Sequence, residues 1–444
     1  MRKKMRRPLA LLCVAAGVLS PAAVRAQSPL LQEGVERLYS VAEAHNASLR
    51  RVRAAVSEAG AGVETAKNAM LPEISGQASF SYLGNARLWN RKFGEGVTAA
   101  MPHYGNNFLL RAEQALYAGG AIKGGIALAR QEAEMQRLTA EDERQRVRYT
   151  LVTLYLRLHS LRNQSEVYAA NAALAAAQIE LMRRRRESGV SLRNDITRYE
   201  LQLRQTQLGK TTMDDQADIA LRQLLTAVGT DSAEVDTLPA AAFDEAALPS
   251  AGDEAEWENL AAESHKGVQR AALAVDMGLT RETLARAERR PKVALVAEDH
   301  LDGPITIEVP PINKNLNYWY VGVGVSYNFS SLYKGKRKLR QARLGTVLAR
   351  ETLDETRQGV GDAVHAAFVN LRTARTELAT REKSVELATE NYRVVSKRYE
   401  SGLALVTDLT DAADMKLDAE LALANARVNL AHCYYTLKYA THTL

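Results

Sequence analysis

YWYVGVGVSYNF, residues 318–329, alternates without a break. Trp319, Val321, Val323, Val325, Tyr327 and Phe329 take one face, and Tyr318, Tyr320, Gly322, Gly324, Ser326 and Asn328 take the other. Side chains alternate across a strand, so one side is aliphatic with aromatics at both ends and the other is small or polar. A strand in a membrane barrel needs this pattern: apolar toward lipid, aromatic girdles at both interfaces, polar toward water. A soluble sheet with one buried face alternates as well. Taken alone, the stretch fits either. Gly322 and Gly324 are not followed by a helix, so they form no phosphate-binding loop.

Outward from this stretch the chain reads twice. Residues 292–301 form a partner strand, and the polar segment 302–317 is the loop between them. A helix over about 337–400 follows, in which Val364, Leu371, Leu378, Val385, Tyr392 and Tyr399 repeat every seven residues. The same order stands earlier: strands at about 73–83 and 108–117, a loop at 84–107, and a helix over about 121–187. There Val147, Leu154, Leu161, Tyr168, Ala175 and Met182 repeat at seven. Such seams mean coiled-coil packing, and helices this long reach roughly 100 Å at ~1.5 Å per residue. Each long helix ends at Glu-Ser-Gly, with Gly189 and Gly402 as the turns, and a second helix returns over about 194–228 and 405–440. Pro72 pairs with Pro291 at an offset of 219, Leu116-Tyr117 with Leu332-Tyr333 at 216, and Gly189 with Gly402 at 213. Two copies with slightly different loop lengths give this drift. The copies span 27–230 and 257–444, joined by an acidic, Ala/Pro-rich connector at 231–256.

The start of the chain explains its charge. Its 58 Lys and Arg against 52 Asp and Glu give a net charge of +6. Six of those bases and no acid lie in residues 1–26, so a chain cut after Ala26 is neutral and nucleic acid is no expected partner. MRKKMRR, the apolar run from Leu9 to Val24 and the ending Val24-Arg25-Ala26 read as a cleaved secretory signal peptide. Cys13 follows Leu12 and sits too early for lipidation, so no lipid anchor is expected. The other cysteine, Cys433, lies in a row of small residues and reads as a buried hydrophobe. The eight histidines are scattered, and there is no nucleophile elbow or phosphate loop. An enzyme has no residues to stand on, and no metal or cofactor is implied. After residue 26 no apolar run approaches ~20 residues, so any membrane crossing must use strands. Four strands cannot close a barrel, which needs roughly eight, so several chains must share one.

The signal peptide, the tandem copies, Leu116-Tyr117-Ala118-Gly119-Gly120 and the run from Tyr399 through Gly402, Asp408 and Asp411 to Ala412 together resemble the TolC-type outer-membrane efflux proteins. The resemblance covers nearly the whole chain after residue 26. It implies a mainly α protein with a small β part: a duplicated long-helix coiled-coil tunnel, and four strands per chain given to a shared trimeric twelve-strand β-barrel. It implies a homotrimer in outer-membrane lipid with a long periplasmic extension. A periplasmic adaptor (membrane fusion protein) and an inner-membrane pump complete the system, and the channel itself does no chemistry. Asp408 and Asp411, three apart on the last helix, would form rings of carboxylates that attract cations. Their alternative role is to complement the helix dipole. Tyr399 and Asp195 match latch positions that hold the tip shut. Where some members carry a latch Arg this chain has Ala404, with Arg193 or Arg398 as candidate substitutes. Arg183 to Arg186 read as a solvated helix end or as a docking surface for an acidic adaptor tip. Trp319, Tyr327 and Phe329 would be membrane-interface aromatics. The other reading of the whole chain is a soluble periplasmic coiled-coil scaffold or adaptor.

Overall fold

No proline interrupts the two heptad segments, and each runs as one helix. The computed structural model describes residues 29–187, 189, 192–230, 252–308 and 311–444. The signal-peptide segment 1–26 and residues 231–251 of the connector lie outside the described residues. The elements in chain order are α1 (Pro29–His45), α2 (Ala47–Lys67), β1 (Glu73–Tyr82), β2 (Ala86–Leu88), β3 (Val97–Ala99), β4 (Tyr104–Tyr117), α3 (Ala121–Glu187) and α4 (Arg193–Val228). The second half gives α5 (Glu254–Ser264), α6 (Lys266–Ala287), β5 (Lys292–Gly303), β6 (Leu316–Ser326), α7 (Ser331–Glu400) and α8 (Val406–Ala440). At 1.5 Å per residue, α3 and α7 are each about 100 Å long. The protein is mainly helical with a small sheet.

Several boundaries differ from the sequence reading, and the segment read as a loop at 84–107 holds the short antiparallel pair β2–β3. β4 starts at Tyr104, four residues early, because 104–107 pair with both β1 and β5 or lie at their ends. β6 stops at Ser326, so Tyr327 and Phe329 leave the strand and pack ring edge to ring face, with centroids 5.0 Å apart. α7 starts at Ser331, so Gly335 lies inside the helix and makes no turn. Its lack of a side chain has a packing cause: a Cβ there would come within 2.9 Å of Arg289 Cγ. Gly119 keeps the turn role, with φ +65°, and a Cβ would meet Ala287 O at 2.8 Å.

The chain is a palisade of four columns. The sheet order is β1-β4-β5-β6, all antiparallel. Above the waist the neighbouring helices are α2–α3, α3–α6 and α6–α7, which is the same lateral order. Below it they are α4–α3, α3–α8 and α8–α7. Each strand therefore continues into the helix beneath it. α4 stacks end-on below α2, where Asn46 Nδ2 donates to Ala227 O at 2.6 Å while Asn46 Oδ1 caps Leu49 N–H. α8 meets α6 the same way, with Ser264 Oγ donating to Thr441 O at 2.5 Å. The main core lies at this waist, built from heptad residues such as Leu151, Leu158, Leu371 and Leu378 and closed by α1, α5 and the end of α8.

Strand register separates two surfaces. Ser75, Arg111, Glu298 and Tyr320 are directly opposite one another across the sheet, as are Gln77, Leu109, His300 and Tyr318. This face is polar: Arg111 pairs with Glu298 at 3.2 Å, and Tyr320 donates to the same carboxylate at 2.5 Å. The other face carries Ile74, Phe80, Phe108, Leu110, Leu295, Trp319, Val321, Val323 and Val325, most of them exposed in the single chain. No helix among the described residues is long and apolar enough to cross a membrane.

The joint between α4 and α1 is sterically closed. Gly229 ends α4 with φ +86°, and a Cβ there would fall 2.5 Å from His45 O. Gly229→Ala is expected to destabilise the chain by more than about 1 kcal/mol, since both the backbone angle and the space oppose it. Gly345→Ala, on open helix surface, should be neutral or stabilising. Denaturant unfolding of the two variants checks the difference.

Candidate gate at the helical tip

Both returning helices start without a capping side chain. Gly189 and Gly402 reverse the chain with φ +76° and +74°, a region that favours glycine. Leu192 and Leu405 then occupy the N-cap positions, where a side-chain oxygen is normally wanted. The third helical residue takes over: Asp195 accepts from Leu192 N–H at 3.4 Å, and Asp408 from Leu405 N–H at 3.0 Å. The two acids occupy equivalent places in the two copies and sit at the positive end of a helix dipole. The leucines themselves, with Leu403, are about 70% exposed.

A second, small core holds the tip together. Met182 of α3, Tyr199 of α4, Tyr392 and Tyr399 of α7 and Leu409 of α8 are buried against one another. Burial pushes the phenols of Tyr199 and Tyr392 up from their usual range. The polar link between the two helix pairs is Arg185. Its guanidinium donates to Tyr399 O at 3.2 Å and to Glu400 O, and lies 5.8 Å from the centre of the Tyr399 ring. Arg193 and Arg398, the candidate substitutes for the latch arginine, are both exposed on the single chain. The arginine run thus divides: Arg183 pairs with Glu180 and Glu200, both at 2.7 Å, and Arg185 crosses to α7.

Asp411 and Asp408 are exposed on the single chain. The acidic face goes further than the pair read from sequence, because Asp414 and Asp418 follow at helical spacing. Gln202 of α4 donates to Asp414 Oδ1 at 2.7 Å, a second bridge across the pairs. From the sequence Arg185 was read only as one of an arginine run, and Gln202 was not singled out. The i, i+3, i+7 spacing of Asp411, Asp414 and Asp418 was a readable signal; the crossing arginine had none, since four identical neighbours offered no choice. Of the aromatics, Trp319 stands exposed on the apolar sheet face, while Tyr327 and Phe329 lie just past the strand end. Among the described residues no three His, Cys, Asp or Glu side chains are grouped to hold a metal.

Burial first, then the charges of Asp418 and Asp411, raises the Asp414 carboxyl above its usual range, against the hydrogen bond from Gln202. A raised acid is penalised once it ionises in the folded chain, and the penalty is absent below its unfolded value. Asp414→Asn is therefore expected to raise the melting temperature at neutral pH. The gain should vanish below the ordinary Asp value of about 3.9. Thermal unfolding at the two pH values measures it.

Comparison with known proteins identifies the architecture. The profile described as Outer membrane efflux protein matches residues 38–230 and 257–441. The outer membrane efflux protein BepC of Brucella suis biovar 1 is 24% identical over 433 residues, covering 96% of this chain and 89% of that protein. The outer membrane protein TolC of Salmonella enteritidis is 22% identical over 426 residues, covering 93% and 82%. Among solved structures, the outer-membrane channel OprN superposes with a TM-score of 0.77 at 18% identity, covering 95% of this chain and 93% of that one. The open-state MtrE outer membrane channel of Neisseria gonorrhoeae gives 0.73 at 17% identity, covering 95% and 93%. These two show a shared fold. With both copies of its repeat matched by one family, the chain belongs to the outer membrane efflux proteins, which are ducts and not enzymes.

Proposed function

We propose that three copies of this chain close into one passive export duct from the periplasm to the exterior, the outer-membrane part of a tripartite efflux or secretion system. The observation that carries this is the palisade with two unmatched edges. β1 and β6 each pair on one side only, and an open edge in hydrocarbon leaves backbone N–H and C=O groups unsatisfied. β6 descends and β1 ascends, so β6 of one copy can pair antiparallel with β1 of the next. Three copies then give twelve strands, an even-numbered barrel with the polar face inward and the Val321–Val325 stripe toward lipid.

The helices have matching edges. α4 and α7 are the outermost helices of the lower palisade, and each keeps an apolar heptad step without a partner. Leu201 and Leu208 are 61% and 67% exposed, and Leu387 and Val394 are 60% and 41% exposed. At 1.5 Å per residue they stand about 12 and 22 Å above the tip on α4, and about 20 and 9 Å above it on α7. Two seams at similar height on opposite edges are what a ring of copies would pair. A soluble scaffold would leave both these seams and the whole apolar sheet face in water, more than an ordinary soluble surface carries.

In this reading the tip is the gate. Asp408 and Asp411 form stacked rings of three carboxylates, and the joint made by Arg185, Tyr399, Gln202 and Asp414 holds the two helix pairs in register. Asp195 and Asp408 keep the helix starts in place. The exposed Leu192, Leu403 and Leu405 suit docking of a periplasmic adaptor, which joins the duct to an inner-membrane pump. Residues 1–26 direct export and are removed, with no lipid anchor added.

Detergent-extracted protein is expected to run as a trimer and to conduct ions in planar bilayers. Leu208→Glu combined with Leu387→Glu should shift it toward monomer; a monomeric, non-conducting wild type would refute the duct. Asp408→Asn with Asp411→Asn should leave trimers intact and lower cation over anion permeability, read from reversal potentials in a salt gradient. Unchanged selectivity would remove both residues from the constriction.

A further inference from the structure

The two copies differ most sharply in charge where helix meets strand. Residues 286–292 and 331–343, the α6–β5 and β6–α7 junctions, carry ten Lys and Arg and one Glu. The equivalent residues of the first copy, 67–73 and 115–127, carry two bases and one acid. The backbone architecture is shared, so it does not demand these charges. Part of the excess lines a groove of about 620 Å³, walled by Arg290, Lys292, Lys334 and Lys338 with a single acid, Glu288. Lys338 pairs with Glu288, and Arg290 donates to Gly119 O at 3.1 Å. Among the described residues, no carboxylate lies within ion-pairing distance of Arg290, Lys292 or Lys334. Four bases against one acid leave a net charge of +3 in the groove, and like charges crowded this way repel one another unless an anion joins them.

Two buried donors stand at its wall without acceptors. Ser331 lines the groove, opens α7 and is 9% exposed, and its hydroxyl is buried with no hydrogen-bond partner. Arg289 packs against Gly335, another lining residue, and its Nε is buried and unpaired as well. A buried donor is costly unless an acceptor reaches it. The positive end of the α7 dipole and the surrounding bases favour an anionic one. Register decides which way the groove opens. Lys292 lies directly opposite Ser326, which also lines the groove, and both stand on the sheet face of Glu298 and Tyr320. No residue of the Val321–Val325 stripe lines it. In the twelve-strand barrel the polar face turns inward, so the groove opens into the bore.

We propose that this groove is an oxyanion site in the wall of the bore, one per subunit, that holds the phosphate group of an exported phosphomonoester. The phosphate sits against Lys292, Lys334 and the Ser331 hydroxyl. A net charge of +3 suits a doubly charged phosphate better than a single carboxylate, and the volume admits a small organic solute with it. The inference rests on the duct reading, because only the closed barrel turns the groove inward. At 1.5 Å per residue α7 sets the site about 100 Å from the tip, many screening lengths away, so this site and the acid rings there act independently. The second copy thus carries the site, and the first copy does not.

The test uses detergent-extracted trimers of the full chain with glycerol 3-phosphate as the probe. Titration calorimetry is expected to find one site per subunit, and the probe should lower the current through trimers in planar bilayers. Lys292→Gln, Ser331→Ala and Lys334→Gln together should weaken binding about tenfold or more and relieve the block. Lys292→Arg with Lys334→Arg should keep both effects, which separates lost charge from lost folding. Lys336→Gln with Arg337→Gln, bases of the same junction outside the groove, should keep both as well. A triple variant that binds and blocks like wild type overturns the proposal, as does an equal loss in the Lys336 and Arg337 variant. Inorganic phosphate that binds where glycerol 3-phosphate does not overturns the assignment to an exported solute. Conducting trimers whose current the probe never lowers overturn this proposal and leave the duct standing. A chain that forms no conducting trimer overturns the duct reading and this proposal with it.

Discussion

An antiparallel sheet with two free edges is the constraint from which the rest follows. β1 and β6 each have one side without a partner, and both faces of the four-stranded sheet are largely exposed in the single chain. Hydrocarbon tolerates neither open edges nor polar backbone, while water disfavours the aliphatic stripe. Both demands are met when copies join edge to edge. Because every strand continues into a helix of the same column, closing the sheet also sets which helices meet. The unpartnered seams on α4 and α7 then have somewhere to go.

The tip is tied together differently from the waist. At the waist, long aliphatic seams and the end-on joints at Asn46 and Ser264 bury most of what they touch. At the tip the core is small and aromatic, and the helix pairs are bridged by Arg185 and by Gln202 with Asp414. Polar bridges of this kind, partly open to solvent, are weak individually and sensitive to charge. A joint of such contacts opens more easily than a continuous aliphatic seam. Asp414, its carboxyl raised by partial burial and by neighbouring carboxylates, is the acceptor in one of these bridges.

Duplication supplied the columns, and divergence supplied their differences. Gly119 makes a left-handed turn after β4, while its counterpart Gly335 sits inside α7 because the second helix begins earlier. The same junction is nearly uncharged in the first copy and strongly basic in the second. Equivalent positions kept their backbone role at Asp195 and Asp408, where the helix start needs an acceptor whatever else the residue does.

The heptad lines, the alternation at 318–325 and the repeat offsets made the helical class, the strands and the duplication legible from residue order. These depend on local periodicity, which a linear chain displays directly. Of the line through Leu371 that the spacing picked out, all but Val385 are buried, whereas half of the line through Met182 is only partly buried and Leu151, Leu158 and Ile179 beside it are buried. The lateral order of the columns, the stacking of α4 under α2 and the identity of Arg185 as the bridging arginine were decided only in three dimensions. Each depends on which side of a long helix faces a neighbour more than a hundred residues away. Four consecutive arginines look alike in sequence, and only the rotation of α3 against α7 turns one of them inward.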